Sequence, residues 1–149
     1  MNKQIKKITS AILIFCLSVT GMCAITASAS TPEIIAPLYN NTSHTSCAMK
    51  INESGLMTID YSIDGKPGLM TKVVITTNIE KRTLGLFWSK VDIGTRNNEW
   101  TDTTSSCLYT KKRTYQLSSS GTYRINVEIK VYGSGGTADT VNYQLKDSY

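Results

Sequence analysis

The chain has 149 residues, with 16 basic and 11 acidic side chains, one histidine and a formal net charge of +5. Three of the basic residues, Lys3, Lys6 and Lys7, lie at the very start; without residues 1–29, 13 basic against 11 acidic residues leave only +2. That balance removes the main electrostatic argument for a nucleic-acid binder, and the remaining 120 residues suffice for one domain with one core.

Residues 1–29 read as a secretory signal. The lysines precede an apolar run through Ile12, Leu13, Ile14, Phe15, Leu17 and Val19, and Ala27-Ser28-Ala29 gives the small-x-small pattern that a signal peptidase accepts. The run is short for a membrane span. Cys23 makes a poor lipidated N-terminus, because Thr20-Gly21-Met22 before it lacks an aliphatic residue and puts bulky Met22 where a small one is wanted. No second run of spanning length follows, and Leu145-Lys146-Asp147-Ser148-Tyr149 carries no wall-sorting pattern. A secreted, extracellular protein is expected, released or held non-covalently at the surface, with no membrane span after processing.

Residues 30–46 form a polar leader with Pro32, Pro37 and the cluster Asn40 to Ser46, and residues 47–149 form the domain. From Cys47 the period is two. Cys47, Met49 and Ile51 share a face, as do Met57, Ile59, Tyr61 and Ile63, and then Val73, Ile75, Thr77 and Ile79. Glu53 to Gly55, Asp64 to Gly68 and Glu80 to Gly85 read as turns. Phe87, Val91 and Ile93 continue, with Trp88 and Lys90 opposite, and Gly94 to Asp102 reads as a polar loop containing Trp100. Ser105 to Leu117 is irregular: Lys111 and Arg113 share the parity of Cys107, Tyr109 and Tyr115, which a bulge near Lys112 would resolve. Tyr123, Ile125, Val127, Ile129 and Val131 alternate cleanly, and the turn Gly133 to Gly136 leads into Val141, Tyr143 and Leu145. About seven strands without a helical stripe predict an all-β fold, a single antiparallel β-sandwich.

After signal removal two cysteines remain, Cys47 and Cys107, an even pair in an exported chain, so a disulfide bond is expected. Closing about 60 residues would stabilise the fold by roughly 4 kcal/mol on the chain-entropy model.

Ser120-Gly121-Thr122-Tyr123-Arg124 before a long alternating strand resembles the entry to the sixth strand of immunoglobulin-like domains. The resemblance implies a structural role for Tyr123, whose hydroxyl would bond back across the corner. The second antibody-type cysteine would fall at Ile125, so a Cys47–Cys107 bridge would be a different staple. More broadly, Phe87-Trp88-x-x-Val91-x-x-Gly94, Trp100-Thr101-Asp102 and Gly121-Thr122-Tyr123-Arg124 resemble a family of small secreted Gram-positive bacterial proteins of unknown function. That resemblance runs from about Cys47 to Tyr143 and implies no activity.

The candidate chemistry is sparse. Asp60-x-Ser62-x-Asp64-Gly65 copies the opening of a calcium loop, but its twelfth position is Thr71, not the bidentate Glu, and the same spacing suits a strand. Gly133-Ser134-Gly135-Gly136 opens no helix, so it lacks the amides of a phosphate loop. His44 lies three residues before Cys47, yet a disulfide would occupy that thiol, and one His with two paired Cys cannot complete a zinc shell. Glu80, Asp92, Glu99 and Asp102 are the carboxylates a small glycosidase would draw on. Lys111-Lys112-Arg113 suits either anion binding or protection of an edge strand. Trp88, Trp100, Tyr109 and Tyr132 form the candidate binding set, because aromatic faces stack on sugars and anchor interfaces.

The expected function is a non-catalytic, secreted binding or interaction module without cofactor or metal. Its partner is an extracellular protein or a cell-envelope glycan, not nucleic acid. A carbohydrate-binding module using the exposed Trp and Tyr side chains is the alternative, and a small secreted glycosidase the second.

Overall fold

A computed structural model describes residues 39–149; the expected signal and the first part of the leader lie outside the described residues. The strands are β1 (Thr42–Ile51), β2 (Leu56–Gly65), β3 (Met70–Thr83), β4 (Phe87–Lys90), β5 (Trp100–Thr104), β6 (Leu108–Gln116), β7 (Thr122–Gly133) and β8 (Asp139–Ser148). All pairings are antiparallel. One sheet has the order β1-β2-β6; the other runs β3-β7-β8, with β4 and β5 sharing the free edge of β3. With β1, β2 and β6 as A, B and E, and β3, β7 and β8 as C, F and G, this is the strand arrangement of an immunoglobulin-like β-sandwich. No helix among the described residues is long and apolar enough to cross a membrane.

The alternation in the sequence fills the space between the sheets. Met57, Ile59, Tyr61 and Ile63 from β2 face Val73, Ile75 and Ile79 from β3 and Ile125, Val127, Ile129 and Val131 from β7, all buried. Tyr61 bridges the layers, its hydroxyl 2.9 Å from the Thr77 hydroxyl, so the polar atom that a buried Tyr carries is satisfied inside the core. The corner is present: the Tyr123 hydroxyl donates to the Ser119 carbonyl at 2.6 Å, four residues upstream.

Four differences from the sequence reading have physical causes. First, eight strands form among the described residues, not about seven, because Trp100 to Thr104 pairs with Val73 to Thr77 instead of looping. Second, β6 carries no bulge; its register with β2 is continuous from Leu108 to Gln116. Lys111 and Arg113 face inward, and both pair there with Asp102 of β5. Third, β1 begins at Thr42, five residues before the expected start, because Asn40 and Asn41 are bound into the fold. Their backbone N–H groups each donate to the Asp139 carboxylate at 2.7 Å. Asn41 is fully buried; its Oδ1 accepts from Gly135 N–H and its Nδ2 donates to the Thr137 carbonyl, both at 3.0 Å. Gly133 in the same turn is obligatory, since a Cβ there would lie 2.3 Å from the Leu69 carbonyl oxygen.

Fourth, Cys47 and Cys107 are free thiols, not a disulfide. Cys47 stands opposite Tyr61, which stands opposite Lys111, four residues along β6 from Cys107. That register separates the two by roughly 13 Å along the strands and 10 Å across them. A bridge needs Cα atoms within about 7 Å.

Candidate functional site

The four aromatic candidates do not form one platform. Trp100 faces inward from β5; it meets Tyr115 edge-on at 5.8 Å, and the Arg113 guanidinium lies 5.1 Å from its ring centroid. Tyr109 is on the same inward face of β6 and packs against the core. Trp88 lies on the outer face of the five-stranded sheet opposite Arg82, whereas Tyr132 stands opposite Lys72, ten residues along β3. Roughly 30 Å separates them.

The nucleophile candidate also comes apart. Cys47 faces between the sheets and His44 is exposed on β1. Burial, with a smaller contribution from Asp60, pushes the Cys47 thiol up to about 11, so it is not a thiolate at neutral pH. Asp60 lies 3.5 Å from Lys112 on the outer side of the three-stranded sheet, and no cluster of metal-ligating side chains occurs among the described residues. The basic triplet is divided: Lys112 points out, Lys111 and Arg113 in.

Each candidate carboxylate has a structural partner. Glu99 pairs with Lys90 at 2.8 Å, and Asp92 accepts from Gly94 N–H at 2.9 Å. Burial pushes the Asp102 carboxyl up, but hydrogen bonds and charge from Arg113 and Lys111 outweigh it and hold it below the usual range. Burial opposes ionisation of Glu80 in the same way, and Arg124 and Asn126 overcome it. Both groups are held ionised, the opposite of what a general acid requires.

What the fold does assemble is a row of amides on the outer face of the five-stranded sheet. Asn78, Asn126 and Gln144 are cross-strand neighbours on β3, β7 and β8. Gln144 Nε2 donates to Asn126 Oδ1 at 2.7 Å, and Asn126 Nδ2 donates to Asn78 Oδ1 and Glu80 Oε2, both at 2.9 Å. An open groove of about 440 Å³ runs along this row and also meets Thr76, Asn142 and Glu99. Within it, Asn78 Nδ2 and Gln144 Oε1 have no hydrogen-bond partner among the described residues. At one end of the row Arg82, Trp88, Arg124 and Lys146 line a second depression of about 450 Å³. The Arg124 guanidinium lies 4.3 Å from the Trp88 ring centroid and is tied to Glu80 at 2.5 Å.

The sequence signal for this row was the set of polar residues alternating with the core of β7 and β8, which reads equally well as a solvated face. Its cross-strand alignment depends on register, which the sequence does not display. Compared with known proteins, the chain matches no family model and no curated sequence.

Proposed function

We propose that the protein is a secreted, non-catalytic binding module that takes a hydroxyl-rich, glycan-type ligand of the cell envelope across the outer face of its five-stranded sheet. The observation that carries this reading is the amide row. Asn is depleted in strands, yet Asn78, Asn126 and Asn142 occupy strand interiors on one face, beside Gln144. The hydrogen bonds that link Gln144, Asn126 and Asn78 fix those amide planes, leaving preset donors and acceptors for sugar hydroxyls at little entropic cost. The ligand surface is therefore polar and amide-based, with Trp88 at its border, in place of an all-aromatic platform. The non-catalytic part of the reading is supported by the engagement of Glu80, Asp92, Glu99 and Asp102 in ion pairs or turns and by the protonated state of Cys47.

A glycan array probed with the processed protein tests this. Binding is expected, and Asn126→Thr, which frees Asn78 and Gln144 from the bonds that orient them, should weaken it by about tenfold, the scale of one or two ligand hydrogen bonds lost when their donor and acceptor are no longer preset. Threonine suits a strand, so folding should be retained. Undiminished binding by that variant would move the site elsewhere. A featureless array alongside a specific protein captured from the medium would favour the protein-partner alternative, and turnover of any polysaccharide would overturn the non-catalytic reading.

A further inference from the structure

Five large apolar side chains stand exposed among the described residues, and three of them are adjacent: Leu84 at 86%, Leu86 at 75% and Phe87 at 64%. They form the tip of the β3–β4 hairpin. The ladder between β3 and β7 ends at the Lys81–Tyr123 pair, while β3 and β4 continue to Thr83 and Phe87, so the hairpin projects beyond the sheet. Isolated exposed leucines need no explanation; a contiguous apolar tip does.

The backbone sharpens the point. Leu84 and Gly85 both have positive φ, 52° and 71°, and Leu86 N–H donates to the Thr83 carbonyl at 3.2 Å. Successive positive φ values suit Asn-Gly, because asparagine tolerates the left-handed region and leucine does not. Leu84 is thus strained and wet at once, and serves neither the turn nor the core.

Behind the tip lies positive charge. Arg82, Arg124 and Lys146 surround Trp88 on the outer face. Glu80 engages Arg124, but Arg82 and Lys146 have no ion-pair partner among the described residues. The apolar tip comes first, the Trp88 indole stands level with its cross-strand partner Arg82, and Lys146 lies further back; apolar groups ahead of an indole and unpaired cations match a bilayer's acyl chains, interface and anionic headgroups. An apolar pocket on a protein would match the tip but would leave the cations without partners.

The geometry points to the β3–β4 tip as a contact with an anionic membrane surface. Leu84, Leu86 and Phe87 enter the boundary between headgroups and acyl chains, and Arg82 and Lys146 meet the headgroup charges. This goes beyond glycan binding and shares with it only Trp88, at the border of the amide row.

Co-sedimentation of the processed protein with phosphatidylcholine vesicles, with and without phosphatidylglycerol, tests it. Partitioning should be about tenfold stronger onto the anionic vesicles and should fall as salt rises. Leu84→Asn combined with Phe87→Ser should reduce it by about tenfold or more. Asparagine fits the turn better than leucine, so the urea midpoint should hold or rise. Arg82→Gln with Lys146→Gln should remove most of the preference for anionic vesicles. No binding to either vesicle, or equal binding by the parent and the tip variant, overturns the proposal. So does a tip variant that loses a captured protein while vesicles never bind, and so does loss of vesicle binding in Asn126→Thr.

Discussion

Asp102 is the single charge on which the β5/β6 edge of the sandwich depends. Its side chain, 11% exposed, receives Arg113 Nε at 3.0 Å and Nη2 at 2.6 Å, together with Lys111. Asp102→Ala leaves two cations directed between the sheets. Removing one partner of a fully buried ion pair costs about 3–5 kcal/mol. Lys111 and Arg113 keep 33% and 22% of their side-chain surface, so solvent relieves part of the penalty. We expect the low end, about 3 kcal/mol. With a urea m-value of roughly 1.5 kcal/mol/M, the midpoint falls by about 2 M. Replacing the whole cluster by Asp102→Val, Lys111→Met and Arg113→Leu should recover most of that loss, because no charge is then stranded. A fall below about 0.5 M for Asp102→Ala, or no recovery in the triple variant, would refute the reasoning. The pH dependence has a definite sign. Asp102, Glu80 and Asp139 are held below their ordinary values of 3.8, 4.5 and 3.8. For Asp139 burial pushes the other way, and the Asn40 and Asn41 amides with Thr42 outweigh it. On acidification the unfolded chain therefore takes up these protons first. The stabilisation is complete above the ordinary carboxylate range and is lost as pH falls through and below it. The urea midpoint of the parent should be flat from about pH 7 to 5 and drop below about pH 4, and Asp102→Ala should drop less steeply.

Tyr123→Phe should cost about 1 kcal/mol or somewhat more in urea unfolding, because the Ser119 carbonyl loses its donor. Tyr149→Phe should cost almost nothing, although Tyr149 is docked through a stacked contact with Tyr123 and backbone bonds to Gly121, since its own hydroxyl is 3.5 Å from the Leu117 carbonyl. Equal effects would mean that the corner bond carries no weight. Gly133→Ala should cost about 2–3 kcal/mol through the clash with the Leu69 carbonyl; a near-neutral result would place the turn differently. Thiol labelling of the processed, non-reduced protein in denaturant should find two reactive cysteines, with Cys47 slow in the native state at pH 8 because burial keeps it protonated. A mass corresponding to a closed disulfide would contradict the strand register.

Wherever apolar and polar residues alternate, the strands could be read directly: β2, β3 and β7 lie where Met57, Val73 and Tyr123 begin their rows. The Tyr123 corner was legible because a short local pattern carries it. The missed strand and the supposed bulge share one cause. Asp102 makes Trp100 to Thr104 look like a loop, and Lys111 and Arg113 make β6 look irregular, but each anomaly cancels the other across the sandwich. Neither could be resolved alone, because the compensating charge sits on the other sheet, and a contact between sheets leaves no trace in the alternation. Asn40 and Asn41 were hidden for a similar reason, since Asp139, their acceptor, lies 98 positions from Asn41. The disulfide expectation failed because cysteine counting carries no register. The amide row was visible as composition and invisible as a site.

The same pairings decide where recognition can occur. At the β1/β8 edge, Tyr143 donates to the Thr45 carbonyl and Asp147 accepts from Ile51 N–H, both at 2.7 Å. At the β5/β6 edge, Asp102 holds its two cations and the Tyr115 hydroxyl donates to the Asp92 carbonyl at 2.7 Å. Both seams of the sandwich are thus closed by polar groups that are already committed, and a ligand competing for them would have to break the frame. The outer amide row, whose hydrogen bonds stay within one sheet, and the β3–β4 tip close no seam. Substitutions there should leave the unfolding free energy within about 0.5 kcal/mol of the parent, whereas substitutions at the seams should lower it. Binding lost without stability at the first pair of surfaces, and stability lost at the second, is the pattern a frame-and-surface division requires. The opposite pattern would put recognition at the seams.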